Sequence, residues 1–371
     1  MRRLYIHELE GWPAFHWDRE RVGTLLADVR HRQGRLSGRM EALGFSLRQE
    51  AVLRTLTSDV TQSSAIEGER LDAAQVRSSI ARRLGMDVGG LVAADRHVEG
   101  VVEVMLDATR HYDRPLDEQR LFAWHAALFP TGRSGMSRIT VGAWRQDGKG
   151  PMQVVSGPIG RERVHFEAVP AVRLAVEMSA FLTWWSARSE IDAVLKAALA
   201  HLWFVTVHPF DDGNGRIARA LADMALARSE SSPQRFYSMS SEIRRERNAY
   251  YDILERTQTG TLDVTAWMEW FLTCLGRAID GAQSMLAGVL AKARFWEGLQ
   301  GVALNERQTS LLNRLLDGLE GKLTTSKYAT LAKCSQDTAL RDISQLVERG
   351  LLVRGPEGGR STGYGLVRER E

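Results

Sequence analysis

From His208 to Arg219 the chain reads HPFDDGNGRIAR. An apolar run at 197–207 precedes it, in which Ala198, Leu199, Leu202, Trp203 and Val205 set a helical pattern. Pro209, Gly213 and Gly215 interrupt that pattern, and a second one resumes at Ile217, Ala220, Leu221 and Met224. The spacing predicts a helix, a tight loop and a helix. Glycines at a helix entrance let backbone approach a ligand closely. The free N–H groups there, at the positive end of the helix dipole, make the loop a ready anion site.

Around this loop stand a histidine able to take a proton, the carboxylates of Asp211 and Asp212, and Arg216 and Arg219 on the first turn of the new helix. The set suits phosphoryl chemistry, where positioning and charge neutralisation do most of the catalysis. Singly, each residue has a plainer reading: a histidine before proline can be structural, Asn-Gly can be a hairpin turn, and helix arginines can be solvated. His208 and Asp212 share the i, i+4 spacing of a zinc helix, but Pro209 and Gly213 argue against a continuous helix. The twelve residues in this order carry far more weight than any one of them.

In that order they resemble the signature of the Fic family, HPFx(D/E)GNGRxxR, with every fixed position filled. The members it resembles transfer AMP from ATP to a protein hydroxyl. The resemblance implies His208 as general base, Asp212 as the Mg²⁺ ligand, and Asn214 with the Gly213 and Gly215 backbone holding the α- and β-phosphates. It also implies Arg216 and Arg219 on the outer phosphates, with Phe210 packed inward to fix the loop. Family members that act as phosphotransferases carry a lysine-containing loop, which is absent here, so AMP transfer is the expectation. His208 must begin neutral to accept a proton, as an unperturbed histidine largely is at pH 7.

The chain has 371 residues, enough for two or three domains with ample core. Lys and Arg total 49 against 46 Asp and Glu, and a balance of +3 gives no general polyanion-binding signal. Cys274 and Cys334 lie in different segments, which argues against a disulfide framework or zinc site and for a reducing compartment. With no signal peptide and no long apolar run, a cytoplasmic protein without membrane partners is expected.

Residues 1–50 read as an aromatic-rich start (Tyr5, Trp12, Phe15, Trp17) and an amphipathic helix with Val22, Leu25, Leu26 and Val29 on one face. A helix at 48–67 follows, ending in TQSSAIEGERL. Ser63 and Glu67 share a face at i, i+4, and Gly68 is placed to end the helix. Taken alone this is an ordinary polar face with a C-cap. Beside the signature loop it resembles the family's inhibitory helix, (S/T)xxxE(G/N), which implies that Glu67 pairs with Arg219 and keeps ATP out of a productive pose.

After a glycine-rich break at 85–90, helices are expected at 93–111 and 116–129, with His97 and His125 as core histidines. Between 130 and 170 glycines recur, and MQVVS (152–156) and RVHFE (163–167) read as a β-hairpin. The equivalent hairpin in the family is a flap at about 150–168 that adds a target segment as an extra strand. Met152, Gln153, Val154 and Val155 are therefore the residues expected to dock an unidentified target protein. Helices at 171–186 and 191–207 should feed the loop, with the Trp184 and Trp185 pair in the core. A helix at 241–257 carries Tyr250 and Tyr251, which resemble the family positions bordering adenine. A helix at 262–279 and another through Trp296 should close the core.

The segment 304–371 has its own order: helices at 307–316, 325–332 and 335–349, then two short strands around a glycine-rich loop, which reads as a winged helix-turn-helix. Gln336, Thr338 and Arg341 sit where base contacts usually lie. Yet 11 Lys and Arg against 9 Asp and Glu leave only +2, and Asp337 and Asp342 fall on the reading helix. Protein docking or formation of a homodimer is favoured over DNA, with Arg354 and Arg360 keeping DNA open.

The expected protein is mainly α: an extension at 1–50, a Fic-type helical core at 51–297 with its inhibitory helix at about 51–68 and flap hairpin, and a winged helix at 304–371. It would be an AMP-transferring enzyme using ATP and Mg²⁺, autoinhibited by Glu67. Two other readings stay open: a transcription regulator that senses ATP, and an enzyme that removes AMP with Glu67 positioning water.

Overall fold

The computed structural model describes residues 4–86, 90–146, 148, 150–157, 161–188, 190–299, 301–316, 318–319, 321–355 and 362–367. In it the apolar periods of the sequence become helices: α1 (Arg19–Glu41), α2 (Phe45–Ile66), α3 (Ala73–Arg83), α4 (Arg96–Arg110), α5 (Glu118–Leu128), α6 (Leu174–Ser186), α7 (Ala193–Val207), α8 (Asn214–Glu230), α9 (Met239–Arg245), α10 (Arg247–Gln258), α11 (Thr265–Glu297), α12 (Glu306–Leu316), α13 (Thr325–Ala332) and α14 (Gln336–Glu348). Three antiparallel ladders complete the described fold: β1 (Arg133–Ser134) with β2 (Ser137–Arg138), β3 (Gln153–Ser156) with β4 (Arg163–Glu167), and β5 (Leu352–Arg354) with β6 (Tyr364–Leu366). The protein is mainly helical, as the sequence indicated. Among the described residues no helix is long and apolar enough to cross a membrane.

Two compact units divide the chain, residues 1–283 and 284–371. In the first, α7 lies at the centre because it is apolar on all sides; every residue from Ala197 to Val207 is buried. Its antiparallel neighbour α8 is buried from Ile217 to Ala227. Aspartates start the surrounding helices by accepting backbone N–H groups: Asp18 on α1, Asp72 on α3, Asp95 on α4, Asp117 on α5 and Asp192 on α7. Helices α4 and α5 meet backbone to backbone at Gly100, where a Cβ would stand 1.8 Å from the Ala127 carbonyl oxygen. Only glycine permits that approach.

The hairpin of β3 and β4 stands at the edge of this unit, with Val154 opposite Phe166 and Val155 opposite Val164 across an irregularity in register. Phe166 turns inward onto Tyr5 and Ala168, against which Met152 and Val154 also pack. Met152 lies just before the strand, and its carbonyl accepts the Ala168 N–H at 2.9 Å. On the other side, Arg163 and His165 bind the Glu255 carboxylate of α10 at 2.9 and 2.6 Å. The tip residues 158–160 lie outside the described set.

In the second unit, Leu311, Leu312, Tyr328, Ile343, Leu346 and Leu352 form a core of their own. Lys333, in the left-handed region at φ 49°, ends α13, and Ser335 starts α14 by accepting the Thr338 N–H at 3.2 Å. Leu323 bridges to Tyr364, adding to the small sheet of β5 and β6. The expected wing tip with Arg360 lies outside the described residues.

Several expectations are corrected. The helix expected at 241–257 is two, α9 and α10, because Glu246 at φ −109° and ψ 31° leaves the helical region. The two helices expected from 262 to 296 are one, α11, which has no proline and runs on through Gly276, Gly281 and Gly288. Ser134 and Ser137 lie in a small hairpin that carries no period-two signal. Trp185 is buried, but Trp184 keeps partial exposure under Lys196, whose ammonium sits 5.1 Å from its ring.

Candidate active site at the helix α7–α8 loop

The loop between α7 and α8 is held by its own side chains. His208 ends α7 in the left-handed conformation, φ 53° and ψ 58°, and Gly213 at φ 82° begins α8. Asn214 closes the turn: its Oδ1 accepts the Phe210 N–H at 3.0 Å and its Nδ2 donates to the Phe210 carbonyl at 2.8 Å. The amide expected on phosphate therefore fastens the loop. Phe210 is fully buried and stacks on His125, with ring centroids 4.1 Å apart and planes 7° apart.

His125 is the core histidine expected, 0% exposed, but it also touches the signature loop. Its Nε2 donates to the Asp212 carbonyl at 3.2 Å, and its Nδ1 accepts the Gly142 N–H at 3.2 Å. One nitrogen gives and one receives, so the ring is held neutral. Burial agrees, pushing its pKa down to about 4. The sequence offered only a helical position in an apolar run.

His208 Nδ1 lies 3.2 Å from the Val205 carbonyl, which can only accept. Nδ1 therefore carries the proton, and Nε2 keeps a lone pair. The residue retains some exposure, yet its ring is enclosed closely enough that desolvation lowers its pKa to about 4. At neutral pH it is a free base.

Arg145 is a loop-holding residue that sequence reasoning missed. It is 2% exposed, its Nε donates to the His208 carbonyl at 2.8 Å, and its guanidinium also donates to the Val169 carbonyl. Its own N–H reaches the Pro209 carbonyl at 2.9 Å. A lone arginine among glycines gave no sign that it would tie the His208 turn to the end of the hairpin.

Asp212 is partly buried; its carboxylate accepts the Ser134 hydroxyl and, at 2.5 Å, the Gly213 N–H. Asp211 instead accepts the Thr140 N–H at 2.8 Å, so the two neighbours have separate duties. Among the described residues no group of three or more His, Cys, Asp or Glu could cage a metal. One carboxylate next to an anion-binding turn fits Mg²⁺ that shares its coordination with phosphate oxygens.

Both signature arginines are buried, and both are engaged by carboxylates. Arg219, 2% exposed, meets Glu67 at 2.8 Å; its Nε donates to Ser63 Oγ and its Nη2 to the Ser63 carbonyl, each at 2.9 Å. Glu67 caps α2, and Gly68 at φ 89° turns the chain away. A Cβ on Gly215 would stand 2.2 Å from Glu67 Oε1, so this carboxylate lies directly over the loop. Arg216 donates to Glu69 at 2.7 Å and lies over the Phe129 ring. Among the described residues Arg219 Nη1 and Arg216 Nε have no hydrogen-bond partner, although buried donors normally find one.

His97 is not the core histidine expected: it is partly exposed, and its Nε2 lies 3.2 Å from Glu69. Tyr250 is buried, with its hydroxyl 2.9 Å from His201, whereas Tyr251 keeps partial exposure and points its hydroxyl at Glu67, 3.4 Å away. In the second unit, Asp342 does not lie on an open face. It is buried against Asn305, Arg307 and Tyr328, which removes one of the negative charges counted against a nucleic-acid surface.

A half-buried loop histidine, a glycine-opened helix N-terminus and two arginines within its first two turns lie together at this loop. Residues 115–226 match the family model Fic/DOC family, and residues 5–86 match that of a domain of unknown function (DUF4172). The chain therefore carries a Fic/DOC family domain at 115–226. It is 25% identical over 232 residues to the protein adenylyltransferase Fic of Aedes aegypti, covering 60% of this chain and 40% of that protein. To the protein of the same name from Culex quinquefasciatus it is 24% identical over 280 residues, covering 71% and 50%. The chain thus spans half or less of these curated relatives. A solved Fic family protein from Desulfovibrio desulfuricans G20 shares the fold, with a TM-score of 0.54 and 21% identity over 96% of this chain and 98% of that one. The match at 5–86 runs through both α1 and the segment bearing Ser63 and Glu67.

Proposed function

We propose that this protein is a protein adenylyltransferase, moving AMP from ATP to a hydroxyl of a target protein, and that Glu67 holds it inactive. The observation that carries the reading is the pair of unsatisfied buried donors, Arg216 Nε and Arg219 Nη1, beside a helix N-terminus and a neutral histidine. Relatives named as adenylyltransferases support the same chemistry.

In this mechanism the target oxygen attacks the α-phosphorus, its proton passes to His208 Nε2, and the bond from the α-phosphorus to the bridging oxygen breaks, releasing pyrophosphate. The Val205 carbonyl keeps the Nδ1 proton in place, so the base is ready without a tautomer change. The Gly213 and Gly215 backbone and the two arginines orient the phosphates. Asp212 would hold Mg²⁺, which neutralises phosphate charge when bound. Tyr251 is the member of the tyrosine pair with surface left to border a base.

The outer edge of β3 is unpaired among the described residues, and Val155 is 48% exposed. A target segment added along Met152, Gln153, Val154 and Val155 would bring a hydroxyl toward His208. Three helices followed by a hairpin support a winged-helix reading of 304–371, with protein docking or dimerisation as its role; the inward turn of Asp342 keeps DNA in view. Two free cysteines fit a reducing, cytoplasmic setting. Intact-mass spectrometry of Glu67→Gly incubated with Mg²⁺ and ATP tests the reaction class. A gain of AMP units on the protein is expected; a gain of phosphate alone would overturn the reading.

A further inference from the structure

Arg216 is 3% exposed, and a buried guanidinium needs a counter-charge. The carboxylate that meets it is Glu69, with Nη1 to Oε2 at 2.7 Å. Glu69 belongs to no helix. It follows the left-handed Gly68, two residues after the carboxylate that takes Arg219. Its Oε2 is also met by His97 Nε2 at 3.2 Å, from α4 on the opposite side. One short turn, Glu67-Gly68-Glu69, therefore reaches both arginines of the signature loop, and α4 fixes its far end.

We infer that Glu69 is a second inhibitory carboxylate, which withholds Arg216 from the nucleotide phosphates while His97 pins it in place. This rests on the adenylyltransferase reading and extends its regulation. The Glu69 carboxyl lies below its ordinary range, chiefly through the bond to His97, and His97 is raised by the same bond, so Glu69 is anionic at neutral pH. An anion fixed on Arg216 repels an incoming polyphosphate and occupies one of the guanidinium edges that would bind it. Removing Glu67 alone frees Arg219 but leaves this second contact. Full nucleotide affinity requires both carboxylates to leave, and both sit on the same turn, so one displacement of the end of α2 releases them together.

Equilibrium binding of ATP and of AMP, with Mg²⁺, tests this in a His208→Ala protein, where turnover does not intervene. Glu69→Ala is compared with its parent, both with Glu67 present and in the Glu67→Gly background. Glu69 is 40% exposed, so its loss leaves the core intact, and Glu69→Gln serves as a second, isosteric variant. Glu69→Ala is expected to tighten ATP on the order of tenfold in either background and AMP far less, because AMP lacks the outer phosphates. His97→Ala is expected to move ATP affinity in the same direction by a smaller factor. Unchanged or weaker ATP binding on Glu69→Ala would overturn the second latch, even where Glu67→Gly still transfers label from α-labelled ATP. Absence of ATP binding in every variant would overturn both the latch and the reading it rests on.

Discussion

His208 owes its readiness as a base to two local facts, a carbonyl that fixes its Nδ1 proton and burial that disfavours the charged ring. An ordinary histidine near pKa 6.5 would lose half its basic form at that pH. Here the folded pKa is depressed to about 4, so the neutral ring persists as pH falls and is lost only below that value. Single-turnover transfer by Glu67→Gly is expected to stay level from about pH 7 down to about pH 5. A rate that halves near pH 6.5 would contradict the assigned environment. At the same scale, Arg145 holds His208 through its backbone rather than its ring. Arg145→Ala leaves the His208 and Val169 carbonyls without a buried donor, at a cost of roughly 1–3 kcal/mol each. Chemical denaturation should show that loss, and the transfer rate should fall more than nucleotide affinity does. Wild-type stability in this variant would remove Arg145 from the account.

At the scale of elements, α7, α8 and the hairpin of β3 and β4 were legible because their periods are unmixed: an all-apolar run, a 3.6-residue stripe after two glycines, and valine-rich alternation around Gly-Pro. The end of α2 was also readable, since Gly68 adopts the left-handed turn its position required. What could not be read came from pairings distant in sequence. Asp342 looked exposed by composition, yet Arg307 and Tyr328 turn it inward. His97 looked apolar by its helix, yet it meets Glu69 across 28 residues of chain. Ser134, on Asp212, comes from a two-residue strand too short for any pattern. Gly100 belongs to this class too, because its reason is the backbone of another helix. Gly100→Ala must part α4 from α5, and overpacking of this kind costs about 1–3 kcal/mol or more. A lowered Tm is the expected reading; an unchanged Tm would mean that these helices do not meet as described.

Over the whole molecule, one segment reaches the loop: α2 and the turn after it bring Ser63, Glu67 and Glu69 onto both signature arginines. On the proposed reading, anything that shifts the end of α2 shifts both carboxylates and so acts on the chemistry from a distance. Glu67 and Arg219 sit at the centre of that arrangement, and their ion pair is the contact through which the proposed enzyme is held off. The most direct test is transfer of label from α-labelled and from γ-labelled ATP, with Mg²⁺, by the parent chain, Glu67→Gly, and Glu67→Gly combined with His208→Ala. The account predicts label from the α position alone, weak in the parent, strong in the single variant and absent in the double. Equal α-label in the parent and Glu67→Gly, or label from the γ position, would contradict it.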